Sequence, residues 1–298
     1  MKRHDIVPAL CRASCALLLA AGLGCKSVPV QTREAVNPLD LLDNDSGFYL
    51  KIPTAADAYL VAELLQKYAD GLSAEDAAAA KRIDTVYAGL NRSRHSTDFQ
   101  IAAACSIPKI AVSKIFSKKN GWNQERIPLP DPSGAETTYT VFSRAALRAA
   151  FPSERIAVVG RGVPSMVGQY HALSFHLEET PQPPLDGRIY SWLSVPETDI
   201  RFFAAKPLSF LTVLTGANLN FKLAYACGIL AASSRRNDQY IMQLEFEFRD
   251  SRIVPAAKGA LGVAFGLTDS NIVQDSATHL TVSHINIQKE QLRAMLAL

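Results

Sequence analysis

The chain has 298 residues, 31 Lys and Arg against 28 Asp and Glu, and a formal net charge of +3. A hydrophobic fraction of 48% with 20% charged residues is a globular composition and excludes intrinsic disorder. The balanced charge gives no concentrated basic face, so no nucleic-acid partner is expected, and a mean hydropathy of +0.05 excludes a multi-span membrane protein.

The first element in chain order is a leader. Lys2, Arg3 and Arg12 make a positive start, and residues 13–23 form an apolar run of 11 residues, the length of a secretory h-region and too short to span a bilayer. Gly22 and Gly24 stand three and one residues before Cys25. A small residue directly before a cysteine at the end of such a run resembles the bacterial lipobox. Gly22 and Leu23 occupy the places where the strict form has Leu and Ala or Ser, so the match is similar to the relaxed lipobox of spirochaete lipoproteins and covers the leader alone. The resemblance implies that residues 1–24 are a removed signal peptide and that Cys25 carries diacylglyceryl and palmitate. It also implies export across the inner membrane and a lipid anchor on a bacterial membrane, in the cell envelope. Plain secretory cleavage and an uncleaved helix are the alternatives. Loss of the leader removes Lys2, Arg3, Arg12 and Asp5, which lowers the net charge to +1. Residues 25–38 are polar and without period, as expected of a flexible tether.

Residues 48–52 (FYLKI) read as a strand stopped by Pro53. From Asp57 the pattern turns helical through Leu60, Leu64, Leu65 and Tyr68, and Ser73 caps a second helix whose stripe continues through Ile83, Val86, Tyr87 and Leu90. Residues 99–105 are the next strand, and Pro108 opens a helix presenting Ile110, Ile115 and Phe116. Residues 120–134, with Pro128, Pro130 and Pro132, read as turns. Residues 137–142 and 155–161 read as strands, and Pro164 opens a short helix. Residues 178–187 (EETPQPPLDG) are the strongest linker signal.

Beyond the linker, residues 200–204 and 221–232 look extended. Residues 241–248 alternate strictly, with Met242, Leu244, Phe246 and Phe248 on one face and Gln243, Glu245 and Glu247 on the other. Asp250 or Ser251 caps a helix carrying Ile253, Val254, Ala257, Leu261, Val263 and Phe265; residues 280–287 form a last strand and 288–298 a terminal helix. The fold class is therefore α+β with mainly antiparallel sheets. The element order on either side of the linker suggests two ferredoxin-like (split β-α-β) halves, residues 39–180 and 181–298.

No catalytic, cofactor-binding or metal-ligating set stands out, and no cofactor is expected. Gly160, Arg161 and Gly162 follow a strand and precede a helix, but Ser165 stands where a dinucleotide fingerprint needs Gly, and a tight turn is the simpler reading. His171 and His176, with Glu178 and Glu179, and His279 with His284 are five apart, a spacing that shares neither a helix face nor a strand face. Cys105 and Cys227 sit in apolar runs, where a buried thiol is as common as a bridge. Lys118, Lys119 and Arg235, Arg236, with Trp122 near the first pair, read as solvated loops or as a contact patch for acidic headgroups or glycan. Two functions remain. One is a non-enzymatic envelope lipoprotein binding a protein, lipid or cell-wall ligand, including glycan. The other is a lipid-anchored hydrolase with no recognisable motif.

Overall fold

The structure is a computed structural model that describes residues 35–58, 60–61, 81–92, 97–215, 221–233, 239–266, 271–290 and 292. Ala35–Leu298 forms one compact unit. Cys25, the helix read at Ser73 and Arg235–Arg236 lie outside the described residues.

One antiparallel sheet of twelve strands carries the fold. In chain order the strands are β1 (Phe48–Pro53), β2 (Ile83–Arg92), β3 (Thr97–Cys105), β4 (Asn123–Pro130), β5 (Glu136–Arg144), β6 (Leu147–Ser153), β7 (Ile156–Gly160), β8 (Ile200–Ala204), β9 (Leu223–Ala232), β10 (Gln239–Phe248), β11 (Ile272–Gln274) and β12 (His279–Gln288). The described helices are α1 (Lys109–Ile115), α2 (Val163–Ser174), α3 (Gly187–Leu193), α4 (Pro207–Thr215) and α5 (Val254–Phe265). Across the sheet the strands run β11-β12-β10-β9-β8-β1-β2-β3-β7-β6-β5-β4.

The α+β, antiparallel class read from the sequence is the class observed. The ferredoxin-like detail is corrected. A split β-α-β unit places another strand between the two that its helix connects, whereas here the connected strands β1 and β2, and β8 and β9, are direct antiparallel neighbours in a sequential order. The strands before and after residue 180 join edge to edge in one sheet through the β1–β8 pair. Each side nevertheless repeats one order. A strand is followed by a helical segment and an antiparallel neighbour, then by a hairpin strand, a helix and a further neighbour. β1, β2, β3 and β7 thus match β8, β9, β10 and β12, with β4–β6 inserted in the first series and β11 in the second.

Two helical layers cover the sheet. On one face, Val112 of α1, Phe210 and Leu211 of α4, and Val254, Ala257 and Leu261 of α5 pack against Leu50, Val86, Ala103, Phe202, Leu244 and Phe246. On the other, Leu39 and Leu41 of a 3-10 turn (Pro38–Leu41), Met166, Val167 and Tyr170 of α2, and Ile189 and Leu193 of α3 pack against Tyr49, Tyr87, Ala102, Val158 and Phe203. This second layer does not reach β10, where Ile241 and Gln243 are exposed while Tyr240, Met242, Leu244, Phe246 and Phe248 are buried on the opposite side.

Four local readings change. Ile83, Val86, Tyr87 and Leu90 belong to β2, not to a helix. Residues 123–130 are the edge strand β4, whose Pro128 and Pro130 are tolerated because one side of an edge strand has no ladder to serve. Asp186, read as the end of a linker, caps α3 by accepting from the Arg188 N–H at 2.9 Å. On α1 the buried residue is Val112, while Ile110 is 83% exposed.

Candidate functional site

Where β1 meets β8 at the centre of the sheet, Lys51 and Arg201 stand directly opposite one another. Alternation places both side chains on the face of Tyr49 and Phe203, under α3. They are 4% and 5% exposed, which is rare for cations. The Lys51 ammonium donates to the carbonyls of Val195 and of Glu197, the latter at 3.4 Å. The Arg201 guanidinium pairs through Nη2 with the Glu197 carboxylate and lies over the Trp192 ring, 5.1 Å from its centroid. Glu197 is half-exposed, in the loop between α3 and β8. Burial and the neighbouring Arg201 push the Lys51 ammonium below its ordinary value, opposed by Glu197. Arg201 Nε and Trp192 Nε1 are buried and donate to no protein acceptor. Two buried cations therefore share one half-exposed carboxylate. The sequence carried a signal for this in Lys51, set between Leu50 and Ile52 in a strand with two buried faces.

A second polar cluster ties the chain's entry to the sheet. The turn at Asp43–Gly47 is held by Gln100, which is buried on β3, receives the Asp43 N–H at 3.2 Å and donates to Ser46 Oγ at 3.2 Å. Arg161 pairs with Asp43 at 3.1 Å and Asp98 at 3.0 Å. Tyr49 donates to the Asp43 carbonyl and accepts from the Ser46 N–H. Gly160 has φ +105°, and a Cβ there would stand 2.4 Å from the Phe99 carbonyl oxygen, so only glycine fits. The Gly160-Arg161-Gly162 turn is thus a structural staple in which Arg161 is committed to two carboxylates.

The remaining sequence candidates are dispersed. His171 is buried in α2, where the Tyr139 hydroxyl donates to Nδ1 at 3.1 Å and Nε2–H donates to the Pro130 carbonyl at 2.9 Å. His176, Glu178 and Glu179 are exposed. His279 contacts Asp275 at 3.1 Å and Glu245 at 3.7 Å, and His284 sits at a bulge with φ +62°. Cys105 and Cys227 are both free and buried, in the packing of opposite faces of the sheet, which rules out a bridge between them. Burial raises both thiols, Cys105 to about 11. Trp122 is buried against Phe116 with Arg144 over it, while Lys118 and Lys119 are exposed. Among the described residues no cluster of three or more His, Cys, Asp or Glu could hold a metal, and no helix is long and apolar enough to cross a membrane.

The architecture defines a class: a single wide antiparallel sheet with helical layers on its two faces. The sequence model of the outer membrane-associated lipoprotein TP0453 family matches residues 33–293, and the chain belongs to that family. A solved structure of TP0453, crystal form I, shares the fold with a TM-score of 0.66 at 17% identity, over 88% of this chain and 97% of that one. Crystal form III of TP0453 gives 0.64 at 17% identity, over 89% and 99%. No curated protein sequence matches the chain.

Proposed function

We propose that the chain is a non-enzymatic envelope lipoprotein, anchored through acylated Cys25, that presents its α1, α4 and α5 layer to a lipid surface. The family is one of outer membrane-associated lipoproteins, and the matched region begins eight residues after Cys25, which leaves the leader and the first part of the tether outside it. The twelve residue steps from Cys25 to Asn37, where the fold begins, span at most roughly 40 Å when fully extended, so an anchored fold stays close to its membrane.

The observation that carries the choice of lipid over a protein or cell-wall ligand is the outer side of one helical layer. Ile110 on α1 and Val263 on α5 are 83% and 85% exposed, and Leu208 on α4 is also exposed. All three helices cover the same face of the sheet. Lys109, Lys114, Lys118 and Lys119 are exposed around Ile110, the mixture of apolar and basic side chains that suits an anionic interface.

Two measurements test the reading. Labelled palmitate should enter the protein, and Cys25→Ser should abolish labelling; an unmodified mature N-terminus beyond Cys25 would overturn the anchor. The Cys25→Ser chain should float with vesicles containing anionic lipid, and I110D with V263D should reduce flotation severalfold. Equal flotation of that variant would remove the helical layer from the interface.

A further inference from the structure

We propose that Lys51, Arg201 and Trp192 form an oxyanion site for a phosphate or carboxylate group, and that the Glu197 carboxylate is its internal occupant, displaced when the ligand binds. The site lies on the sheet face opposite the layer assigned to lipid contact, so it is a separate function and stands or falls separately.

Charge is the first argument. Lys51 and Arg201 face each other across β1 and β8 with almost no exposure, and the one carboxylate beside them, paired with Arg201, belongs to a half-exposed residue. Two buried cations against one anion leave a net positive charge in a low-dielectric place, which is costly unless a further negative charge joins it. An oxyanion carrying more charge than a carboxylate, or more acceptor oxygens, compensates the pair better than Glu197 alone.

Hydrogen-bonding capacity is the second. Arg201 Nε and Trp192 Nε1 are buried N–H groups with no protein acceptor. Buried donors are nearly always satisfied, and both belong to groups stacked on one another at the cation pair. Lys51 commits two of its three donors, to the carbonyls of Val195 and Glu197. A guanidinium, an ammonium and an indole N–H together are a donor set for phosphate or carboxylate oxygens.

The route is the third. The loop between α3 and β8 supplies the Val195 and Glu197 carbonyls and the Glu197 carboxylate, and Pro196, Glu197 and Thr198 are exposed. The contacts that close the site thus come from one short surface segment. Exchanging the Glu197 carboxylate for an external oxyanion requires that segment to move and leaves β1, β8 and α3 in place.

The test uses the full chain, with thermal unfolding and tryptophan fluorescence followed against inorganic phosphate at constant ionic strength set by chloride. Wild type should show a saturable rise in Tm. Glu197→Gln, which removes the competing carboxylate from an exposed loop, should tighten phosphate by roughly two- to fivefold, what a half-exposed ion pair is worth. Trp192→Phe, which keeps the ring under Arg201 but deletes the N–H, should weaken it. A second arm uses dihexanoyl phosphatidylglycerol below its micellar concentration. Saturable binding there, with none to inorganic phosphate, assigns the site to a phospholipid headgroup; binding in both arms assigns it to free phosphate; and the same two arms repeated with acetate read out carboxylate. The proposal is overturned if no anion gives a saturable shift in either wild type or Glu197→Gln. It is equally overturned if Glu197→Gln and Trp192→Phe respond as wild type does.

Discussion

β2 and β10 are both inner strands of ten residues in the same sheet, yet they are built on different rules. In β10, buried and more accessible residues alternate without exception from Tyr240 to Phe248. In β2, Val86, Tyr87 and Ala88 are buried in succession. The cause is the helical layer carrying α2 and α3, which covers the second face of β2 and stops short of β10. A strand between two apolar layers has no reason to alternate, whereas a strand with one wet face must. The first series of strands is therefore a core on both sides, and the far end of the second series is a core on one.

The largest test compares adjacent residues. In β1, Tyr49 faces one layer and Leu50 the other, and both are buried. Tyr49→Ala should cost about 3–5 kcal/mol and Leu50→Ala about 2–5 kcal/mol in urea melts, because each leaves a cavity in a packed layer. In β10, Phe246→Ala should cost about 3–5 kcal/mol. A mild Tyr49→Ala would mean that the α2–α3 layer is loosely seated, and the contrast between the two regions would shrink.

The same contrast decides what could be read from the sequence. Ile83, Val86, Tyr87 and Leu90 are spaced i, i+3, i+4 and i+7, the signature of a helix face, and they mislead because a strand buried on both sides is free to place apolar residues at any spacing. The faces of the strand with a wet face, β10, are legible to the residue; on α5, Val254, Ala257 and Leu261 are buried as read, while Val263, read on the same stripe, is 85% exposed and Phe265 is only partly buried. β4 was hidden by two prolines that only an edge position permits, and β6 by a run of Leu147, Ala149 and Ala150 with weak strand preference. The cation pair was legible only in part. Lys51 is conspicuous between Leu50 and Ile52, but its partner Arg201 is 150 residues away and is brought opposite by strand pairing that no local pattern encodes.

A smaller effect is expected at the staple that joins the chain's entry to the two-faced half. Gln100 is buried and serves both the Asp43 backbone and Ser46. Gln100→Ala should cost about 1–3 kcal/mol, the penalty for leaving buried polar groups unpaired. Gln100→Glu, which adds a buried charge beside Asp43, should be worse. Equal stability of Gln100→Ala and wild type would show that Arg161 and Tyr49 hold the turn without it.

A further effect depends on pH and lies on the one-faced side. Burial alone would raise the Asp57 carboxyl, but hydrogen bonds from Tyr240, Lys289 and the Leu60 N–H, with the Lys289 charge, more than offset it and hold it below its ordinary value. A group lowered in the folded state contributes stability that is fully present above its unfolded pKa, about 4, and is lost as pH falls through the lower folded value. The stability difference between wild type and Asp57→Asn should therefore be constant from pH 7 to about 5 and narrow below about 4. A difference that grew on acidification would reverse the sign and remove the ion pair as its cause.

The smallest effect is the one that most directly probes the wet face. Glu245 lies beside Phe246 in β10, with its side chain one quarter exposed and its carboxylate 3.7 Å from His279. It faces the side on which Gln243 and Ile241 are open to solvent. A carboxylate with that access keeps much of its hydration, and a surface pair of this kind is worth about 1 kcal/mol at most. Glu245→Gln preserves the shape and most of the polarity, so urea melts at neutral pH should register less than about 0.5 kcal/mol. The neighbouring Phe246 truncation, one residue along the same backbone, should then exceed it by several kcal/mol. The ratio matters more than either number, because backbone context is common to both and only the face differs. A loss above about 2 kcal/mol at Glu245 would mean that this face is covered in solution, and the distinction between the two regions of the sheet would fall with it.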